Sequence, residues 1–536
     1  VLSRTCAVAV ADTLFRSGVR YAFGHPGGEV VDLIEALETR GIKFVLTGHE
    51  SAAAFMAATV GRLTGVPGVC LATLGPGACN LVLGVGCAYL DRDPLLAISA
   101  RTIGRLAEVS EKQNLQLNEM FQPICKASIS LDSQGTETAV REAISLAKRE
   151  IRGPVYLSLP NDVAVSPEVG GEGCGFKLDQ KLADTRDVGE ISKALGSAAR
   201  PIAVIGIALD AKNDSGSVRR FLAVTGIPYV VLPQAKGIAD ESGPGYLGTV
   251  ASAAADAILV EQLKSSDCLL GIGFDPVESS QDWHYDAPLY NVANWSIARG
   301  AFRPEAECLG NVSNLLKAVL KECDLETEWT ARELDAIKFS IHQAMLPTGS
   351  SRTGGLSPFS VMDLLNTLLP ENTIVATDVG AHKMLISQTW NAATPDGFLV
   401  TNGLSAMGYG VPAALCASLL NPTRPVVGVF GDGGFGMMVQ ELETAKRLGL
   451  SPLLIVLCDR TLAVIKIAQD MRKIPNRGVD FLQVDWAMVA QGFGARGVSA
   501  SSLDATAVAI DRWLAEPELT VLSVAVDDGL YVGLTY

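Results

Sequence analysis

Short apolar runs rich in valine, isoleucine and leucine recur along the chain, and segments with helical spacing lie between them. The first group includes YAFGH, KFVLTG, GVCLATL, DPLLAISA and GPVYLSLP. PIAVIGIA, PYVVLPQ and CLLGIGFD follow, and then TIVATDVG, PVVGVFGDGG, SPLLIVLCD and LTVLSVAV. Strands that are apolar on both faces are buried on both, and strands separated by helices are joined by crossovers. The alternation therefore predicts parallel sheets covered by helices. A chain of 536 residues is too long for one core, and roughly 150–200 residues per domain predicts about three. The expected fold is α/β, with three tandem doubly wound parallel-sheet domains at residues 1–165, 187–322 and 355–536. A glycine-rich linker is expected near 166–187, and a polar stretch, 345–358, leads into the third domain. In such sheets ligands sit beyond the carboxyl ends of strands, which directs attention to the loops after FVLTG, IVATD, VVGVF and LLIVL.

Composition narrows the function. With 48% hydrophobic and 19% charged residues the chain is globular, and a formal charge of −15 argues against nucleic acid or an anionic membrane as partner. An anionic ligand must then be met by local devices: helix N-termini, a lysine or a metal. The 11 cysteines lack paired metal-type spacing, and Cys70, Cys79, Cys87 and Cys416 lie in apolar runs. Reduced, buried thiols in a cytoplasmic protein are expected, with no signal peptide and no membrane span.

The run VVGVFGDGGFGMM stops at Asp432, set among Gly431, Gly433 and Gly434. Glycines after a strand let backbone approach a ligand closely, and the helix expected next, FGMMVQELETAKRLG, offers its N-terminus to phosphate oxygens. The following strand ends in a second acid, Asp459, and adjacent parallel strands can bring their tips side by side. Two carboxylates with phosphate oxygens and water suit octahedral Mg²⁺. A glycine turn with a solvated acid is the alternative. No G-x-x-x-x-G-K-[ST] occurs, so this is not a P-loop.

Gly-Asp-Gly with an acid or amide at the next strand end resembles the thiamine diphosphate motif. GDGGFGMMVQELETAKRLGL is similar to acetolactate synthase-like carboligases and decarboxylases. FGHPGG, HESAAAFMAATVGRLTGVPGVCLATLGPGACNL, FQPICK, GFDPVE and NGLSAMGYGVPAAL extend that resemblance, in order, over nearly the whole chain. It implies thiamine diphosphate and Mg²⁺ as cofactors. Asp432, Asp459 (where the family has asparagine) and the carbonyl of Thr461 would hold the metal. Gly433, Gly434, Gly380, Ala381 and His382 would meet the diphosphate, although His382 alone would more often lie at a surface.

By the same resemblance Glu50 is the acid that hydrogen-bonds N1′ of the aminopyrimidine and so activates C2 towards a 2-oxo acid; read alone, it is a dipole-favoured helix cap. Met407, otherwise an ordinary core residue, would hold the cofactor bent, and the Ser405 carbonyl would accept from its 4′-amino group. Leu462, Val464 and Ile465 would line the cofactor, the last two over its thiazolium. Gly27 and Gly28 would lie beside the reacting carbon, with His25 and Glu29 as polar lining. Gln113 and Lys112 are candidates for holding a carboxylate or an acceptor, Lys112 alternatively being solvated. Lys466 stands where relatives often carry Glu or Gln, which hints at an unusual acceptor.

The family places its cofactor between subunits, so a homodimer is the expected minimum and a homotetramer is common. With five histidines and no His-His pair, the proton relay of pyruvate decarboxylases is missing, which favours ligation. GIGFDPVESSQDW resembles catabolic acetolactate synthases, which do not need FAD. The expectation is a lyase or carboligase that decarboxylates a 2-oxo acid, pyruvate by default, and passes the acyl unit to a carbonyl acceptor. Alternatives are a simple 2-oxo acid decarboxylase, a 2-hydroxyacyl-CoA lyase, a carboxyethylarginine synthase-like condensing enzyme, or a catalytically silent regulatory subunit of the same fold.

Overall fold

The computed structural model describes residues 4–102, 109–172, 187–251, 253–279, 287–297, 302–323, 325–531 and 533. Much of the expected linker (173–186) and the end of GIGFDPVESSQDW (280–283) lie outside the described residues.

Three six-stranded sheets succeed one another, every strand pairing in parallel. The first holds β1 (Tyr21–His25), β2 (Lys43–Leu46), β3 (Gly68–Ala72), β4 (Leu95–Arg101), β5 (Ser128–Ser130) and β6 (Pro154–Pro160), in the order β2-β1-β3-β4-β6-β5. The second holds β7 (Pro201–Ile205), β8 (Tyr229–Val231), β9 (Tyr246–Thr249), β10 (Cys268–Ile272), β11 (Leu289–Ala293) and β12 (Ala306–Leu309), ordered β12-β11-β10-β7-β8-β9. The third holds β13 (Ile374–Thr377), β14 (Phe398–Leu399), β15 (Val426–Gly431), β16 (Leu453–Cys458), β17 (Arg496–Ala500) and β18 (Thr520–Ala525), ordered β14-β13-β15-β16-β18-β17. This is the α/β, doubly wound architecture expected from the alternation. Central strands such as β3, β7 and β10 are buried along their whole length, which is why they read as unbroken apolar runs.

Contacts gather the chain into two compact units. The first joins residues 1–180 with 403–422 and 438–450; the second joins 181–402, 423–437 and 451–536. Within the first unit, helix Glu50–Thr64 is buried around almost its whole circumference. It packs on β3, on helix Pro76–Leu90 and on helix Gly410–Leu420. A Cβ on Gly84 would stand 2.4 Å from that of Ala54, so the first two of these helices approach to a distance only glycine allows.

Two expectations need correction. The helix after Gly431 begins at Asp432 and is two helices, Asp432–Met437 and Glu441–Arg447. The second belongs to the first unit, where buried Glu441 accepts the Gly48 N–H (3.1 Å) and the Thr444 hydroxyl (2.9 Å). Cys79 is exposed, whereas Cys70, Cys87 and Cys416 are buried; an apolar run wound into a helix still has an outward face. No disulfide joins the described cysteines.

Candidate active site

Both outer sheets change direction between neighbouring strands, β1 and β3 in the first, β13 and β15 in the third. The crevice at such a point is where doubly wound sheets take ligands.

In the first unit, three strand tips meet there. β2 runs into His49, whose Nδ1 accepts the Ser51 N–H (3.1 Å) and caps helix Glu50–Thr64. Glu50, the first helical residue, is 8% exposed, and its Oε2 accepts from Asn80 Nδ2 at 2.9 Å. A Cβ on Gly77 would stand 3.1 Å from Glu50 Oε1, so the glycine leaves that oxygen room. Beyond β1, Gly27 lies against Thr73, whose hydroxyl donates to Glu29 Oε2 at 2.6 Å; His25 Nδ1 meets the Thr47 carbonyl at 2.8 Å. Gly28 opens a short 3-10 turn, and Gln113, at φ 58°, lies against Gly75. Lys112 is exposed, Met407 is half-buried, and Ser405 adopts φ 53° within this unit.

The third sheet assembles a different set. Asp432 and Asp459 stand at the tips of paired strands, Gly431 lying opposite Leu457. Asp432 is 4% exposed; its Oδ1 accepts the Gly433 N–H and its Oδ2 the Arg460 N–H, both at 2.9 Å. Asp459 Oδ1 accepts the Thr461 N–H at 3.0 Å. Burial pushes the Asp432 carboxyl up to about 6, and burial together with the Asp432 charge pushes Asp459 up to about 8. Such a pair repels itself unless a proton or a cation is shared between its members.

Thr461 pairs with Asp480 through Leu462 N–H to Val479 O (2.9 Å) and Phe481 N–H to Arg460 O (3.0 Å). In that pattern Thr461's own N–H and carbonyl face away from the neighbouring segment, and its N–H turns to Asp459. Leu462 and Val464 are partly buried, whereas Ile465 is 49% exposed. Among the described residues no three His, Cys, Asp or Glu side chains could hold a metal together. Two acids and a carbonyl could supply part of an octahedral Mg²⁺ shell, with phosphate and water for the rest.

The loop after β13 brings Gly380, Ala381 and His382 to the same rim. The ring of His382 lies against Gly380 and Gly431, 3.3 Å from where a Cβ on Gly431 would be. The surface position expected for a lone histidine is overturned, because the side chain is buried (4% exposed) by the crossover at the strand tips. Burial pushes it down to about 3 although it donates to the Asp378 carbonyl, and its Nε2 has no partner. An orphaned buried nitrogen at a strand-tip crevice, beside glycines and two acids, fits a bound diphosphate, whose negative charge would favour a proton on Nε2 that could then donate to a phosphate oxygen.

Sequence reasoning did not find Asn80, which holds Glu50, nor three residues around Asp432. Asp378 abuts Gly434, Trp486 packs over Gly436 and edge-on to Phe435, and buried Tyr531 feels the charges of Asp459 and Asp432. No local motif marks them, since each arrives from a distant part of the chain.

Comparison with known proteins identifies the family of the three domains. The N-terminal TPP binding domain of thiamine pyrophosphate enzymes matches residues 4–126, the central domain 188–318 and the C-terminal TPP binding domain 378–524. The chain belongs to the thiamine pyrophosphate enzymes. Within them it is similar to acetolactate synthases. It is 29% identical to the acetolactate synthase of Bacillus subtilis, over 97% of this chain and 93% of that protein. It is 27% identical to the catabolic acetolactate synthase of Raoultella terrigena, over 92% and 90% of the two chains. It is likewise 27% identical to the acetolactate synthase isozyme 2 large subunit of Escherichia coli, over 97% and 95%. Among the described residues no helix is long and apolar enough to cross a membrane.

Proposed function

We propose that the protein is a thiamine diphosphate- and Mg²⁺-dependent carboligase of the cytoplasm. It decarboxylates a 2-oxo acid, pyruvate by default, and transfers the acyl unit to a carbonyl acceptor. The observation that carries this reading is the pair of carboxylates on adjacent strand tips, Asp432 buried and Asp459 half-buried, beside a histidine nitrogen with no partner.

Asp432, Asp459 and the Thr461 carbonyl hold Mg²⁺, and Gly380, Ala381, His382, Gly433 and Gly434 receive the diphosphate. The bound cofactor supplies a carbanion centre and an electron sink for the departing carboxylate. Glu50, fixed by Asn80, holds the proton at the aminopyrimidine N1′ through a carboxyl oxygen. Ser405 and Met407 orient the ring, and Leu462, Val464 and Ile465 exclude water from it. Gly27 and Gly28 leave space for the substrate, and Lys112 and Gln113 bind a carboxylate or the acceptor. A homodimer is the least assembly this reading requires, with active sites between subunits, and a tetramer is compatible with it. FAD has no part in it.

Purified protein supplied with thiamine diphosphate, Mg²⁺ and pyruvate should release CO₂ and form an acetohydroxy acid or acyloin. No cofactor-dependent CO₂ release from a panel of 2-oxo acids would overturn the proposal, and free aldehyde as sole product would convert it to a decarboxylase.

A further inference from the structure

Lys466 sits on helix Ala463–Met471, which begins directly after the loop that carries Asp459 and Thr461. Its ammonium lies 3.2 Å from Asp480 and 3.1 Å from Asp528, and only a fifth of the side chain is exposed. These two carboxylates flank the metal loop. Asp480 pairs with Thr461 on the 460–462/479–481 ribbon, which Thr461 Oγ1 tightens by donating to the Val479 carbonyl at 3.1 Å. Asp528 lies on the turn Asp528–Tyr531 just past β18, where Val526 N–H donates to the Cys458 carbonyl at 3.2 Å, one residue before Asp459.

Asp528 is itself held. Arg352 donates to it at 2.9 Å and to Asp470 at 3.0 Å, and Asp470 lies one helical turn beyond Lys466 on the same helix. The Arg352, Thr353 and Gly354 N–H groups in turn bond Asp527. Lys466, Asp528, Arg352 and Asp470 therefore form a chain of alternating charges whose two ends lie on one helix. Lys466 alone extends it across to Asp480.

We propose that Lys466 is a positioning residue for the metal site, bracing the loop 459–461 between Asp480 and Asp528 so that Asp459 and the Thr461 carbonyl keep the spacing a divalent cation needs. The inference rests on the reading above that these two groups hold Mg²⁺. The cation is committed to two carboxylates, so it acts through the loop and not on the acceptor. Mg²⁺ tolerates little departure from octahedral geometry, so a loosened loop loses affinity for it.

The test is a Mg²⁺ titration at saturating thiamine diphosphate, read by tryptophan fluorescence without turnover. Lys466→Met should weaken Mg²⁺ binding about tenfold and Lys466→Arg should restore most of it, the loss being what one charge-assisted contact supplies. Asp480→Asn, at a side chain 59% exposed and so harmless to folding, should weaken binding severalfold. Two results would overturn the brace: Lys466→Met and Asp480→Asn both binding Mg²⁺ like the wild type, or Lys466→Met binding it more tightly, as a mere repelling charge would predict. Wild-type protein that takes up no cofactor with Mg²⁺ overturns the functional reading, and this inference with it.

Discussion

Asn80 donates its side-chain amide to Glu50 Oε2 at 2.9 Å, fixing the carboxylate at the mouth of the first sheet's crevice. Glu50 has no other side-chain donor among the described hydrogen bonds, so its direction depends on Asn80. Glu50→Gln should leave thiamine diphosphate bound but slow hydrogen–deuterium exchange at its C2 by about 10²–10⁴, the range of a lost general acid. Asn80→Ala should slow the same exchange roughly tenfold, in line with one hydrogen bond to a charged group. Exchange followed by NMR decides both, and an unchanged rate in Glu50→Gln removes the role assigned to that residue.

Asp432 and Asp459 should respond differently to the same change. Asp432 accepts a backbone N–H on each oxygen, whereas Asp459 uses one oxygen for the Thr461 N–H. An asparagine at 459 can still accept with its carbonyl oxygen; at 432 its NH₂ must face a backbone donor. Asp459→Asn should keep cofactor binding with Mg²⁺ affinity within about tenfold, while Asp432→Asn should lose roughly ten- to a hundredfold more. Calorimetric titration with Mg²⁺ separates the two, and equal losses would contradict the distinction.

His382 makes the cofactor-free protein sensitive to acid. Its buried ring is held down to about 3, against about 6.5 in an unfolded chain. Above pH 6.5 both states are neutral and this part of the stability is complete. As pH falls from there towards 3 the unfolded chain binds a proton that the folded one refuses, and stability declines. The melting temperature of wild type should therefore drop more between pH 7.5 and pH 5 than that of His382→Gln. Parallel slopes would count against a neutral buried ring.

The second unit also contains a buried ion pair on the central domain. Lys236 Nζ lies 2.5 Å from Glu241, with side chains 0% and 1% exposed, and Glu241 also accepts the Gly237 and Ala392 N–H groups. Lys236→Met leaves that buried carboxyl without its cation, and breaking such a pair costs about 3–5 kcal/mol. Urea unfolding followed by circular dichroism should show the loss; a shift under about 1 kcal/mol would mean that the two N–H donors suffice.

The three sheets were legible because buried parallel strands leave unbroken apolar runs, and the pairing of β15 with β16 could be read from two acids each ending such a run. Helix limits after Gly431 were not, since glycines there allow helix or turn and contacts decide. The positions of Asn80, Asp378, Asp528 and Tyr531 depend on crossovers that no local pattern encodes. Lys466 shows the limit most clearly. As a letter beside a metal motif it suggested an unusual acceptor, while its partners, Asp480 and Asp528, lie where only the folded chain brings them.

The first compact unit takes helix Gly410–Leu420 and residues 438–450 from late in the sequence. During synthesis that unit stays unfinished until residue 450 of 536 has emerged. For most of translation the alanine-rich helix Glu50–Thr64 lacks the neighbour that covers one of its flanks, a face open to wrong partners. A fragment ending before residue 403 should inherit that exposure permanently and aggregate, although it contains every strand of the first sheet.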